Sequence, residues 1–460
     1  MMRRLACLGA ALLLGACAIT GNPPASAPAM PGAYTEQAPA GAAAPAQVWW
    51  GAFGSAELSA LVSAALSANP DLAIAAERVR QAEAQVRIAN ATLFPVLDLG
   101  AGSSRREIRV DGGSWQSADQ SSVTLGASYE LDLWGRNASG VRAAQFSLRA
   151  TRFDAETVRL TLVAGVANAY FQVLSLRGRL AIARENLAIA ERVYKVVDAR
   201  ARNGAVSPLD LARQQAAVLA QRAAIPPLEL QERQTLLALA ILLGRQPEGF
   251  DAAASSVSAI AVPRIAPGIP AALLVRRPDL ASAEAQLGAA NADVGAARAA
   301  LLPSISLTGS AGLASDVLLN FLSAPTAAAS LGASLLQPIF NGGRLRAQIV
   351  VAESRERELV ENYRKFILAA LADVESALAA GSRSADQEGL QELVLVQARL
   401  ALKLAEVRYR EGADDLLTVL DAQRTLFQAE DQLAQIRLAR LQASVGLFKA
   451  LGGGWKTPET

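Results

Sequence analysis

The sequence predicts an α+β membrane protein made of duplicated half-units. Four β-strands per chain are expected to build a twelve-stranded trimeric transmembrane β-barrel, continued by a long α-helical coiled-coil barrel in the periplasm. Three patterns carry this expectation: a repeat of the chain onto itself, short segments alternating apolar with small polar residues, and long proline-free stretches with heptad spacing. The repeat has a constant offset of 208 residues. Asn69-Pro70-Asp71-Leu72 returns as Arg277-Pro278-Asp279-Leu280, and Ala91-Thr92-Leu93-Phe94-Pro95 as Ala299-Ala300-Leu301-Leu302-Pro303. Arg202-Asn203-Gly204-Ala205 returns as Arg410-Glu411-Gly412-Ala413, and Leu242-Leu243-Gly244 as Ala450-Leu451-Gly452. A repeat of that length is a duplicated half-molecule, not a short solenoid unit.

Residues 1–16 read as a signal peptide. Arg3 and Arg4 precede the apolar run from Leu5 to Leu14, which is shorter than the span of about 20 residues a membrane helix needs. The run ends in Leu14-Gly15-Ala16-Cys17, a pattern that resembles the bacterial lipobox, so cleavage before Cys17 and acylation of its thiol are expected. Residues 17–47, rich in Pro, Ala and Gly, then form a lipid-anchored tether. Ala18 after the cysteine directs such a lipoprotein to the outer membrane. The chain has 2 cysteines. Cys7 leaves with the signal, so apart from the covalent lipid on Cys17 no thiol remains for a disulfide, a metal or a redox cycle. Histidine is absent, and neither a cofactor, a metal nor a catalytic site is expected. The formal charge of +2 falls to near neutrality once Arg3 and Arg4 are removed, which argues against a nucleic-acid partner. Aromatics make up 5% of the chain, and alanine dominates its apolar residues, a composition suited to close helix packing. No apolar run after the signal reads as a membrane helix, so any crossing falls to strands.

The first repeat occupies residues 48–244. An amphipathic helix is expected from Val48 to Ala68. Asn69 is a candidate cap, and Pro70 opens a helix that runs to Leu93 and is stopped by Pro95. Strands follow at about 96–108 and 121–133. Leu97, Leu99 and Ala101 alternate with Asp98, Gly100 and Gly102. Val123, Leu125, Ala127, Tyr129, Leu131 and Leu133 fall on one face, with Ser122, Thr124, Gly126, Ser128, Glu130 and Asp132 on the other. A polar loop containing Asp111-Gly112-Gly113-Ser114 joins the two strands. Residues 136–202 hold no proline and keep heptads through Val173, Leu180, Leu187, Tyr194 and Ala201. This helix spans about 100 Å. Asn203-Gly204 and Ser207-Pro208 make a turn. The return helix, Leu209 to Leu243, covers about 50–55 Å, and the helix before the strands about 35 Å. One continuous helix is therefore expected beside two shorter ones stacked end to end. Pro226-Pro227 is expected to break the return helix.

A Pro/Ala/Ser-rich connector, 245–268, leads to the second repeat, 269–455. Its short helix runs from Asp279 to Leu301, its strands at about 304–314 and 328–340, its long helix from Arg344 to Arg410 and its return helix from Asp415 to Leu451. Residues 456–460 are a tail. Gly452-Gly453-Gly454-Trp455-Lys456-Thr457 lacks the spacing and the strand–helix context of a phosphate loop.

Four strands cannot close a barrel, and open sheet edges are not tolerated in lipid. The chain must pool strands with copies of itself. A dimer would supply eight, with an interior filled by side chains. The small inward residues favour the open lumen of a homotrimer.

The chain resembles the TolC-type outer-membrane efflux proteins, most closely the acylated branch serving resistance-nodulation-division pumps. The residues that carry the resemblance are the lipobox, the paired Pro-Asp-Leu motifs, Glu130-Leu131-Asp132-Leu133-Trp134-Gly135-Arg136, Gln337-Pro338-Ile339-Phe340-Asn341-Gly342-Gly343-Arg344 and Leu417-Thr418-Val419-Leu420-Asp421-Ala422-Gln423. The resemblance implies an exit duct of a tripartite system, conducting small molecules passively across the outer membrane. Its implied partners are a periplasmic adaptor and an inner-membrane pump. It places the adaptor contacts at Asn203, Gly204 and Ala205 and at Glu411, Gly412 and Ala413. Leu417 and Asp421 would constrict the pore, and Tyr409 and Arg424 would take part in the links that hold it shut. Asp414 and Asp415 depart from the arginine found near this turn in some relatives. A type I protein-secretion duct and a non-channel coiled-coil scaffold stand as alternatives.

Overall fold

The computed structural model describes residues 30–36, 45–109, 112–254, 256–316 and 325–456. The signal segment, Cys17, most of the tether, Asp111 and the last residues of the tail lie outside that range. The described chain divides into two units. One comprises Arg78–Arg152 and Ser282–Arg364; the other runs up to Glu77, through Phe153–Ala281, and onward from Lys365.

The strand-bearing unit is one antiparallel sheet in the order β1-β2-β3-β4, formed by β1 (Val96–Ile108), β2 (Gln116–Leu131), β3 (Ser304–Ser315) and β4 (Thr326–Leu336). The pairing is unbroken in register, so the period of two seen in the sequence persists across the sheet. One face carries Leu97, Leu99, Val123, Leu125, Leu307, Leu313, Leu331 and Leu335. The other carries serine pairs, with Ser306 against Ser334 and Ser310 against Ser330, each 2.8 Å apart.

Both ends of β2 and the end of β4 differ from expectation. β2 starts at Gln116, before the expected 121, because Gln116–Gln120 pair with Ser104–Ile108 above the apolar band. It ends at Leu131, not 133, because Asp132 turns to accept from the amides of Asn137 and Ala138 at 3.0 and 2.7 Å and caps the next helix. β4 stops at Leu336, short of 340, since Pro338 has no amide to donate to a ladder.

The strands are flanked by α2 (Pro70–Ala91) and α5 (Pro278–Ala299) and by the long helices α3 (Arg136–Arg202) and α6 (Arg344–Arg410). In this unit Arg152 pairs with Glu83 at 2.8 Å, joining α3 to α2. Arg298 pairs with Glu353 at 2.8 Å, joining α5 to α6.

In the second unit α3 and α6 run beside the return helices α4 (Pro208–Leu242) and α7 (Leu416–Ala450). The bounds of α5, α6 and α7 lie 208 residues beyond those of α2, α3 and α4, as for Arg136–Arg202 and Arg344–Arg410, whereas the counterpart of Ala56–Ala68 is reduced to the single turn Leu273–Arg276. The stacked ends meet in this unit. Asn69 accepts from the amides of Asp71 and Leu72 and donates its own amide to the Leu242 carbonyl at 2.9 Å. At the equivalent joint Arg277 pairs with Asp279 and reaches the Ala450 carbonyl at 3.3 Å.

Four expectations are corrected here. Pro226 and Pro227 lie inside α4, which stays helical through both. Proline's fixed φ is itself helical, and ion pairs to α3 bracket the site: Arg222 with Glu191 at 3.0 Å and Glu229 with Arg184 at 2.9 Å. Residues 48–68 are not one helix. A 3-10 turn, Trp49–Phe53, ends at Gly54 with φ 70°, and α1 (Ala56–Ala68) starts behind the Ser55 cap. Nor is the core poor in aromatics at this point. Trp49 stacks on Phe448 at 4.9 Å, with Phe53, Tyr170 and Phe171 packed around them. One 18-residue window of α3 is also apolar enough to span a membrane by composition, contrary to the sequence reading. Half of that window is buried, and Val166, Ala167, Phe171, Val173 and Leu174 of the same helix are wholly enclosed in the core.

Candidate functional site

Each long helix ends in arginines whose last carbonyls have no helical partner. The α3–α4 turn is closed by Gly204 at φ 67°, whose amide donates to Ala201 at 3.0 Å while that of Ala205 donates to Arg200 at 2.9 Å. Ser207 and Asp210 then form a capping box with Pro208 in the first helical turn. The α6–α7 turn uses Gly412 at φ 78°, and Asp415 caps α7 by accepting from the Thr418 amide at 3.0 Å. All six residues expected at the adaptor-facing tips, Asn203, Gly204, Ala205, Glu411, Gly412 and Ala413, are exposed.

The two turns are tied together by a residue that the sequence reading missed. Arg200 donates to the carbonyls of Tyr409 and Arg410 at 3.1 and 2.8 Å, and its guanidinium lies 4.6 Å from the centre of the Tyr409 ring. It satisfies the C-terminal carbonyls of α6 and sets a positive charge at the negative end of that helix. Its repeat counterpart, Arg408, instead closes on Asp414 at 2.6 Å within its own turn. The first repeat has Val206 where the second has Asp414, so Arg200 meets no carboxylate there and reaches across. That difference between the copies is the signal that could have found it.

Below the turns lies an apolar cluster of Val193, Val197, Leu402, Tyr409, Leu416, Val419 and Leu426, with Leu211 against it. The opposite side of α7 is polar. Leu417, Asp421 and Arg424 fall at i, i+4 and i+7, which puts them on one stripe. Leu417 is 56% exposed, and the side chains of Asp421 and Arg424 are 63% and 71% exposed. Arg424 pairs with Asp421 at 2.6 Å. The expected joint role of Tyr409 and Arg424 is not made within one chain. Tyr409 is buried in the apolar cluster under Arg200, with its hydroxyl unpartnered, while Arg424 is held by its own helix neighbour.

Electrostatics at the second turn follow these contacts. The hydrogen bond from Arg408 holds the Asp414 carboxyl below the usual carboxylate range, and Asp414 in turn raises Arg408. The Thr418 amide, then its hydroxyl, holds Asp415 below that range.

An alternating four-stranded sheet with open edges, fed by helices too long for a bilayer, defines a channel-forming membrane protein. A coiled-coil scaffold has no use for such a sheet. The chain belongs to the outer membrane efflux protein family, whose model matches residues 61–245 and 269–453, the two repeats. It is similar to the pyoverdine export outer membrane protein OpmQ of Pseudomonas aeruginosa, 43% identical over 99% of this chain and 98% of that one. Its likeness to OpmQ of Pseudomonas putida is 44% over 99% and 98% of the two chains. The open-state MtrE outer membrane channel of Neisseria gonorrhoeae matches in structure with a TM-score of 0.82 at 30% identity, covering 95% of this chain and 99% of that one. The protein is accordingly an outer-membrane channel of a tripartite efflux system. Members of the family form trimeric channels that work with adaptor proteins and inner-membrane pumps.

Proposed function

We propose that three copies of this chain form a passive exit duct that is shut at the exposed stripe of α7 and opened by an adaptor seated on the two turns. The observation that carries this reading is the placement of Leu417, Asp421 and Arg424 on one solvent-facing stripe beside exposed glycine turns. In a trimer the stripe supplies three leucines as an apolar constriction and three carboxylates as a ring. Carboxylates brought together resist closure unless they are neutralised. The Asp421–Arg424 pair supplies that neutralisation within each chain. The turns suit docking, since their backbone conformation is set by Gly204, Gly412 and two helix caps independently of the partner.

The finer assignments belong to the same proposal. Cys17 carries the lipid, the pump is of the resistance-nodulation-division type, and no bond chemistry is performed on the cargo. The cargo is pyoverdine or a compound of like kind, a reading supported by the two relatives above 40% identity along almost the whole chain. Planar-bilayer recording of purified trimer tests the gate. Little conductance is expected from the native protein, with a rise of about tenfold or more for Arg424→Ala, which leaves the three Asp421 carboxylates unneutralised. Absence of conductance in both would sink the duct reading. Intracellular and periplasmic accumulation of pyoverdine in a deletion strain tests the cargo.

A further inference from the structure

The unbroken register of β1 against β2 fixes which charges share the polar face of the sheet. From Asp98 to Ile108 the even-numbered residues of β1 lie on the face of Ser122, Thr124 and Gly126. The odd-numbered ones lie on the face of Leu125 and Val123. Two charged β1 residues fall on the polar face, Asp98 and Arg106. Asp98 stands in the four-stranded wall, in a row with Gly126, Ser310 and Ser330. Arg106 stands on the two-stranded extension beyond it, since β2 pairs with β3 only from Ser121 onward while Arg106 faces Ala118. Eight residues separate the two charges, about 26 Å along the strand. Arg105 differs from its neighbour. It lies on the apolar side, within 3.8 Å of Glu107 and 3.7 Å of Asp119, and is balanced there. Arg106 makes no ion pair with the described residues, and the small side chain of Ala118 opposite leaves its guanidinium room to project.

We infer that Arg106 forms a cationic ring, one residue per chain, on the lumen wall at the outer mouth of the barrel, and that this ring selects anionic small molecules for exit. The inference rests on the trimeric duct reading and adds to it a cargo class and a residue. A ring of arginines in a narrow polar pore raises the local concentration of anions and repels cations, as rings of Arg or Lys do in anion pores. Three unpaired guanidiniums at the mouth also oppose entry of polycations from outside. Asp98 lies deeper and has the opposite sign, so the two rings act in series, and the one at the mouth is met last by outgoing cargo.

The experiment is a reversal-potential measurement on purified trimer in planar bilayers under a potassium chloride gradient, in the Arg424→Ala background. Arg106→Gln should lower the chloride-to-potassium permeability ratio by about threefold or more, and Arg106→Glu should lower it further. Arg106→Lys should keep it, which separates charge from a folding defect. Arg105→Gln, on the apolar face, should leave it unchanged. An unaltered ratio in Arg106→Gln, or an equal change in Arg105→Gln, overturns the inference while the duct stands. Failure of the background trimer to conduct at all removes the duct reading and the ring with it.

Discussion

At the scale of single residues, the two joints between stacked helices are the least forgiving positions in the helical unit. Gly452 has φ 84°, and a Cβ built there would lie 1.8 Å from the Arg276 carbonyl oxygen. Its counterpart Gly244 has φ 65°, with the Ala68 carbonyl oxygen 2.2 Å from such a Cβ. Backbone cannot yield to a methyl group at that distance without the joint opening. Gly452→Ala should therefore cost about 2 kcal/mol or more and lower the thermal midpoint. An unchanged melt would show that the joint yields to a methyl group without loss of stability. Titration of Asp415 gives a second prediction. Its folded pKa is lowered, so the cap is fully present above the unfolded value of about 3.9 and is lost as pH falls through the lower folded value. Exchange protection of the Thr418 amide should hold from neutral pH to about 4 and decline below it. Asp415→Asn should flatten that dependence.

At the scale of elements, α4 carries a cost its repeat partner α7 does not. Pro226 and Pro227 remove two helical hydrogen bonds, and a helix-interior proline is unfavourable by about 3 kcal/mol relative to alanine. Replacing both with alanine should raise the thermal midpoint and leave conductance as it was; a fall would mean that the prolines shape a contact the helix needs. The pairing of turns rests on Arg200. Arg200→Ala strips the Arg410 carbonyl of its donor, leaves the Tyr409 carbonyl to the Gly412 amide alone and takes the cation from the Tyr409 ring, at about 1–3 kcal/mol. Hydrogen exchange at the last turn of α6 should speed up, and the corresponding change at Arg408 should act only within its own turn. The helices were legible because their periods, caps and stop signals are local. Asn69, Pro70, Gly204, Ser207 and Gly412 sit where a sequence reader expects them. Continuity through Pro226-Pro227 was not legible, because it depends on Glu191 and Arg184 of another helix.

At the scale of the molecule, the sheet's faces decide how it meets the membrane. Leu125 is on the apolar face and Thr124 on the polar one. Leu125→Arg should cost about 2–4 kcal/mol per chain at the bilayer midplane and deplete trimer in the outer membrane. Thr124→Arg should be tolerated. Heat-modifiable migration of the two variants on gels reads the difference directly, and equal tolerance of both would reverse the assignment of faces.

The sequence by itself determined the period of each element, the 208-residue duplication, the strand faces and the position of both turns. These are properties of neighbours along the chain, and a repeat only requires comparing the chain with itself. Tertiary structure alone decided that the few aromatics gather around Trp49 and Phe448 and that Tyr409 is buried. It also decided that Arg200 bridges the two turns while Arg408 stays at home. Burial and the Arg200 bridge depend on groups as far apart in the chain as Arg200 and Tyr409, whereas Asp414, which keeps Arg408 at home, lies within its own turn.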